Sequence, residues 1–385
     1  MNGPAPDGRS PLREVAELFL KLGLTAFGGP AAHIAMMEQE VVLRRRWLSR
    51  QEFLDLLGAV NLIPGPSSTE LAIFLGYRRA GWPGLLLGGA CFILPAALLV
   101  TAIAWAYVRF GRLPQIQGML YGVKPVVIAL VAQALWKLGR TAVKTKYLLI
   151  LGLLAAALNA FGVNPLAVLL GAGLLTAATR LPRRADSTVA GFCGPFLGIA
   201  PALPAVAFPV GLWPLFLFFL KIGSIVFGSG YVLLAFLRAD LVTHWHWLTE
   251  NQLLDAVAVG QFTPGPVFTT ATFIGYTLAG TAGAATATVA IFLPSFLLVA
   301  MIGPFAPRLR QSAVAGAFLD GVNIAALALM AVVTVQLGAA AFVDAFAVAL
   351  ALVSAALLLR FEVNAAWLAL GGIIIGLGKT MLAGN

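Results

Sequence analysis

The sequence repeats itself once, and each copy is a nearly continuous series of apolar segments. With a shift of 200 residues, Phe19-Leu20-Lys21 aligns with Phe219-Leu220-Lys221, and Pro64-Gly65-Pro66 aligns with Pro264-Gly265-Pro266. One residue is then lost, and a shift of 199 aligns Gly76-Tyr77 with Gly275-Tyr276. The chain is therefore two copies of one unit. We predict a first repeat at 1–186, an apolar and possibly membrane-crossing linker at 187–211, and a second repeat at 212–385.

Composition places both copies in a lipid bilayer. Only 10% of the 385 residues are charged and 60% are apolar, whereas soluble domains carry about 25% charged residues. A soluble enzyme and a disordered chain are excluded, and we predict an all-α polytopic membrane protein with six elements per copy. The predicted elements are 15–37, 51–79, 82–108, 117–136, 147–161 and 165–179, then 212–237, 251–278, 282–303, 313–336, 342–359 and 365–382.

The second element is interrupted by Pro64-Gly65-Pro66. Its arms, 51–63 and 67–79, each reach about 20 Å as helix, against a hydrocarbon core of about 30 Å. It is either a broken span or a re-entrant hairpin. Basic residues mark the cytoplasmic side of a membrane protein, and they occur at both ends of this element, which favours the hairpin. These residues are Arg44, Arg45, Arg46, Arg50, Arg78 and Arg79.

The second copy has the opposite charge pattern. Its basic residues Arg308, Arg310 and Arg360 follow elements three and five. Neither 239–303 nor 311–359 contains Lys or Arg. We therefore predict two homologous halves in an inverted-topology repeat with re-entrant or broken helices. That arrangement places a substrate site at the midplane and supports alternating access. Arg109 and Arg112 fall in a predicted external loop and argue against the pattern.

Inversion requires an odd number of crossings between equivalent points, which leaves two arrangements. Either element one crosses the membrane, or element one is re-entrant and the linker crosses. Because 187–220 contains no charged residue, we favour the crossing linker, with the amino terminus in the cytoplasm. The net charge of +10 lies wholly in the first half, with nineteen basic and nine acidic residues up to Asp186. It records topology and predicts no nucleic-acid partner.

Two kinds of repeated feature are candidates for a site. Lys21 and Lys221 lie inside apolar segments, where a cation costs about 3 kcal/mol; they either face an anion or extend to the membrane surface. Broken helices at membrane depth face protein or a wet cavity, and a helix that restarts there attracts anions. The other predicted substrate contacts are Thr25, Gly28, Gly29, Asn61, Gly65, Ser67, Ser68, Thr69, Gly228, Gln261, Thr263, Gly265, Thr269 and Thr270, and the helix-breaking prolines are Pro30, Pro64, Pro66, Pro264 and Pro266.

Glu70 follows the first break, and its counterpart is Thr270. A carboxylate beside an anion pocket suits a group that binds a proton together with substrate, so Glu70 is the candidate for proton coupling. Asp55 and Asp255 occur in both repeats and are assigned a structural role. Cys91 and Cys193 are assigned to packing. The three histidines form no metal-binding pattern, so we expect no metal site. We also expect no catalytic residues and no cofactor.

The motifs together resemble a known family. Residues 25–30 through His33, then 61–70, and 261–266 in the second half, are similar to the chromate ion transporter family in its long, duplicated form. The resemblance covers nearly the whole chain. The second half departs from it at Gly228-Ser229-Gly230 and in lacking an acid equivalent to Glu70.

The resemblance implies secondary active transport of chromate across the bacterial inner membrane, with efflux that confers chromate resistance. The membrane potential or a proton gradient would drive it. Transport of sulfate or another tetrahedral oxyanion is the alternative, because backbone N–H groups and lysines distinguish such dianions poorly. A channel is a third possibility, and a membrane reductase would need redox thiols or a cofactor motif. The expected partners are chromate and the lipid bilayer, and a homodimer is left open.

Overall fold

The computed structural model describes residues 10–61, 63–180, 210–226, 232–302, 312–361 and 363–383. All regular structure in these ranges is helical. All but the last two residues of the predicted linker, together with Gly228, lie outside the described residues. Five of the described helices are long and apolar enough to cross a membrane. The chain is therefore a multi-pass membrane protein.

Fourteen α-helices form in the described ranges. In the first half they are α1 Pro11–Thr25, α2 Gly29–Glu38, α3 Arg50–Val60, α4 Ser67–Phe110, α5 Pro114–Ala142, α6 Lys146–Ala160 and α7 Pro165–Ala178. In the second half they are α8 Leu212–Ile225, α9 Leu233–Leu237, α10 Glu250–Phe262, α11 Thr270–Ile302, α12 Ala313–Ala341, α13 Ala345–Arg360 and α14 Ala365–Ala383. α2 and α9 continue into π-helical turns, Gln39–Arg44 and Arg238–His244.

The local signals of the two copies produce the same structures at equivalent positions. Ser49 and Glu52 form a capping box at the start of α3, and Thr249 and Gln252 form one at the start of α10. Each box satisfies N–H groups that the first turn of a helix leaves without partners. Equivalent helices therefore begin at equivalent residues.

α4 and α11 each reverse direction within one helical stretch. The reversals occur at Ala80-Gly81 and at Ala279-Gly280, where Gly81 has a φ of 65° and Gly280 a φ of 63°. The hydroxyls of Thr272 and Thr288, which a straight helix would hold about 24 Å apart, lie 2.7 Å from each other. Each stretch is thus two antiparallel arms, as the predicted boundary between elements two and three requires.

Ion pairs join the ends of the first two elements at one surface. Arg78 lies 3.8 Å from Glu52, at opposite ends of element two, and Arg79 lies 2.8 Å from Glu14 at the start of element one. Arg50 pairs with Glu38 at 3.2 Å. Because the ends of each element meet, α3 and the first arm of α4 form a re-entrant hairpin, and so do α1 and α2. The predicted hairpin is confirmed.

Equivalent helices of the two halves run in opposite directions. Gly139 of α5 faces Leu327 of α12, and Gly338 of α12 faces Ile128 of α5, so these two equivalent helices run antiparallel. The inverted-topology repeat is confirmed by this arrangement. α5 also packs against α14 and α12 against α7, so each half carries the packing partner of the other.

Close backbone approach explains small residues at these crossings. A side chain at Gly122 would collide with the backbone of Gly372, and one at Gly321 would collide with the backbone of Ala172. Gly122 and Gly321 are equivalent residues, and so are Ala172 and Gly372. Small residues let membrane helices pack at short range, where van der Waals contact replaces the missing hydrophobic drive.

Candidate functional site

The tips of the two re-entrant hairpins are buried and cross, each against the opposite half of the chain. The Gly65 N–H donates to the carbonyl of Val226 at 2.7 Å, and the Gly265 N–H donates to the carbonyl of Ala26 at 3.0 Å. Val226 and Ala26 are equivalent residues at the ends of α8 and α1. Each tip is therefore bonded to the broken helix of the other half, and backbone polar groups exposed by the breaks are satisfied at depth.

Both tips need glycine. Gly65 has a φ of 140° and Gly265 a φ of 90°, a region that residues with a side chain rarely adopt. The space is also occupied, since a Cβ at Gly65 would collide with the carboxyl group of Glu70 and lie 2.9 Å from the Ser295 hydroxyl. A Cβ at Gly265 would lie 2.7 Å from that of Ala96.

His33 links the first tip to the second. Its ring is 1% exposed, with Nε2 3.1 Å from the Ala26 carbonyl and Nδ1 3.3 Å from the Ser68 hydroxyl. A carbonyl only accepts, so Nε2 carries the proton and Ser68 donates to Nδ1 in the neutral ring. The Ala26 carbonyl also accepts from Gly265. His33 was not among the predicted site residues, although it is a single basic group in an apolar stretch beside a helix break.

A carboxyl group without a partner lies beside this chain of hydrogen bonds. Glu70 is fully buried, and neither of its oxygens has a hydrogen-bond partner. The Thr69 hydroxyl is buried and unpartnered as well, and the Ser295 hydroxyl is buried beside the Glu70 carboxyl without a hydrogen bond of standard geometry. Ser295 comes from α11 of the second half, so both halves contribute to this polar cluster. Ser295 was not among the predicted site residues, because its repeat counterpart, Ala96, is apolar. The signal for it in the sequence is a lone hydroxyl after Leu293-Pro294.

The second tip is not an equivalent cluster. The hydroxyls of Thr263, Thr269 and Thr270 donate to the backbone carbonyls of Val259, Pro266 and Val267, at 2.8 to 2.9 Å. Val267 and Phe268 replace Ser67 and Ser68. Of the two tips, only the first is thus surrounded by buried side-chain groups that lack hydrogen-bond partners in the part of the chain that the structure describes.

The two lysines are each paired with an acid nineteen residues further along. Lys21 lies 2.9 Å from Glu40, and Lys221 lies 2.9 Å from Asp240. Arg44 and Arg45 also contact Glu40, at 2.9 and 3.5 Å. The Lys21 cluster therefore holds three cations for one carboxylate, whereas the Lys221 pair is neutral. The ion-pair partners of the two lysines, Glu40 and Asp240, are not residues of a hairpin tip.

The other predicted contacts divide by burial. Ser67, Ser68, Thr69, Gln261 and Thr263 are buried. Outside this group, Gly29 is buried next to the left-handed, exposed Gly28, and Pro30 starts α2. Thr25 is exposed and donates to the Lys21 carbonyl at 2.7 Å, and Asn61 is exposed at the end of α3. In the described residues no three His, Cys, Asp or Glu side chains are grouped as a metal site would require.

The two aspartates predicted to be structural differ in their surroundings. Asp55 is exposed and accepts from Gln51 at 3.2 Å. Asp255 is buried, pairs with Lys124 at 3.2 Å, and accepts from the Tyr107 hydroxyl at 2.9 Å.

An inverted repeat with two crossing re-entrant hairpins defines a membrane transporter of the broken-helix type. The family profile described as "Chromate transporter" matches residues 13–177 and again 213–377. The chain belongs to the chromate transporter family. The resemblance drawn from the motifs is confirmed, and membership points to a transporter rather than an enzyme.

Relatives match over most of their length. The chain is 37% identical to the chromate transport protein of Cupriavidus metallidurans, over 95% of this chain and 92% of that protein. It is 35% identical to the probable chromate transport protein of Synechococcus elongatus, over 85% and 84%. It is 33% identical to the chromate transport protein of Pseudomonas aeruginosa, over 83% and 79%. No solved structure gives a significant match.

Proposed function

We propose that this protein is a secondary transporter that exports chromate across the bacterial inner membrane and thereby confers chromate resistance. The observation that carries the proposal is the polar cluster where the hairpin tips cross, in which Glu70, Thr69 and Ser295 are buried without partners. Unpartnered buried polar groups are rare in native proteins and mark places where a ligand, a proton or a water completes the structure. Family membership supplies the substrate class.

The cluster offers the donors that a tetrahedral dianion needs. The Thr69 hydroxyl has no partner, the Ser295 hydroxyl lies beside the Glu70 carboxyl, and Ser68 is held at the same tip by His33. The first turn of α4 adds the partial positive charge of a helix N-terminus. Hydrogen bonds to an anion are stronger than those between neutral groups, so these donors compensate part of the cost of removing chromate from water.

Glu70 requires a proton when the dianion is present. Its carboxylate would otherwise repel chromate across a short, water-poor distance. A charged carboxylate without a partner is also costly to bury. In this proposal Glu70 releases its proton when the empty site opens to water and binds it again with chromate, so that chromate and a proton are carried together, with one net negative charge. A membrane potential drives one charge outward with about 2.3 kcal/mol per 100 mV, and two charges with twice that energy.

The three cations around Glu40 lie at the cytoplasmic surface assigned by the arginines. Their excess positive charge raises the local concentration of a dianion at that surface. In this proposal Lys21 attracts chromate before it reaches the tips, while Lys221 is compensated by Asp240. The two lysines thus differ in function despite their equivalent positions.

The proposal is tested with purified protein in proteoliposomes that carry an imposed potassium diffusion potential. Chromate flux should follow the potential and accumulate substrate against its gradient. Sulfate competition decides the alternative substrate: strong competition with equal sulfate flux would identify a general transporter of tetrahedral oxyanions. Flux that equilibrates without accumulation would identify a channel. Unchanged chromate resistance in cells that gain the gene would refute chromate export.

A further inference from the structure

A second charged cavity lies away from the hairpin tips. It has a volume of about 600 Å³ and lies between the start of α5, the end of α4 and the first turns of α10. The side chains that matter in it are Tyr107, Arg112, Tyr121, Lys124, Asn251 and Asp255. We call it the α5–α10 cavity. In the predicted topology α5 ends at the cytoplasmic basic residues 137–146, which assigns its start and this cavity to the opposite, external surface.

Lys124 is the central group of the cavity. It lies 3.2 Å from Asp255 and 3.1 Å from the Asn251 side-chain oxygen. Its side chain is 17% exposed and that of Asp255 is 6% exposed, so the pair is largely withdrawn from water but open on the cavity side. Tyr107 donates to the other oxygen of Asp255 at 2.9 Å. Lys124 and Tyr107 belong to the first half, whereas Asn251 and Asp255 form the base of the second hairpin.

The side chains that line this cavity carry more positive than negative charge. Arg112 and Lys124 face one carboxylate, so one positive charge is uncompensated among the residues that line it. Arg112 lines the cavity and is exposed. Asn323 occupies the repeat position equivalent to Lys124, and Ala306 the position equivalent to Tyr107. The pair is therefore not a device that both repeats require for folding.

We propose that the α5–α10 cavity is a second binding site for tetrahedral oxyanions, with Lys124 and Arg112 as its cationic contacts. Asp255 competes with the anion for Lys124 and so keeps the affinity low. A low affinity suits an external site from which exported substrate leaves. A concave site with an excess of one sign of charge concentrates ions of the opposite sign. The substrate assignment rests on the proposed function.

The test is equilibrium binding of sodium chromate to the purified, detergent-solubilised full chain. Isothermal titration calorimetry at constant ionic strength measures the binding. Asp255→Asn should tighten one class of sites about threefold to tenfold, because Lys124 loses its competing acid while Tyr107 keeps a hydrogen-bond partner. The double variant Lys124→Gln/Asp255→Asn leaves no buried unpaired charge. It should weaken the same class about tenfold, and Arg112→Gln should weaken it severalfold.

Arg109→Gln is the matched control, since Arg109 is an exposed arginine in the last turn of α4, three residues before Arg112, and does not line this cavity. Chromate binding by the double variant and by Arg112→Gln equal to that of wild type would overturn the second site. An equal loss in Arg109→Gln would overturn it too, because the effect would then be general surface charge. Calorimetry does not depend on transport, so a wild-type protein that binds chromate here but gives no chromate flux would refute the proposed function alone.

Discussion

Substitution of Gly65 by alanine separates the cost of an unfavourable backbone conformation from the cost of filling the polar cluster. Gly65 and Gly81 both have positive φ, at 140° and 65°. An alanine in such a conformation costs about 1–3 kcal/mol at either position. Nothing lies within 4 Å of a Cβ at Gly81, whereas a Cβ at Gly65 meets the carboxyl group of Glu70 and the hydroxyl of Ser295.

Overpacking of a tight interior typically adds about 1–3 kcal/mol. Gly65→Ala should therefore lower stability by about 2–6 kcal/mol in total and abolish chromate flux, because the added methyl group displaces Glu70. Gly81→Ala should cost only the backbone strain and retain flux. Thermal unfolding in detergent and flux in proteoliposomes measure the two effects. Equal losses of stability and of flux in the two variants would show that the tip is not a packed functional site.

Three further predictions concern single charged groups. Glu70→Gln should abolish the dependence of chromate flux on an imposed pH gradient; an unchanged dependence would exclude Glu70 as the proton carrier. Lys21→Ala should raise the chromate KM by about tenfold, while Glu40→Gln should not raise it, since Lys21 remains; a rise in both would indicate structural damage. The pKa of Asp344 is held well below its usual range, first by the hydrogen bond from Lys379. Its stabilising contribution should persist above pH about 4 and disappear as the pH falls further; in Asp344→Asn, melting temperature should fall less than in wild type over that acid range.

Much of the fold follows from local signals in the sequence. The repeat, the re-entrant hairpin and the inverted topology were predictable because their signals are local. Pro64-Gly65-Pro66 interrupts its own helix, and the basic residues mark the side of the membrane on which their own loops lie. Helix breaks and loop charges depend on the bilayer and need no knowledge of tertiary contacts. The reversals at Gly81 and Gly280 also occur at the boundary predicted between elements two and three.

Contacts between the halves could not be predicted in the same way. α5 packs against α14, more than 200 residues away, and local sequence carries no signal for such a partner. The same limit applies to the site. Glu70 was identifiable from its position after a break, but Ser295 reaches it only through the crossing of α11 with the first hairpin. His33 links the tips only through its contacts with the Ala26 carbonyl and the Ser68 hydroxyl, and the local sequence does not reveal these contacts.

The location of chromium in a structure of the protein with bound chromate tests the central proposal most directly. Anomalous scattering from a chromate-bound crystal identifies chromium without reference to the protein coordinates. The account predicts a chromium peak at the crossing tips, within hydrogen-bond distance of the Thr69 and Ser295 hydroxyls once the oxygen atoms are placed. Chromium bound elsewhere, with no peak beside Glu70, would contradict it.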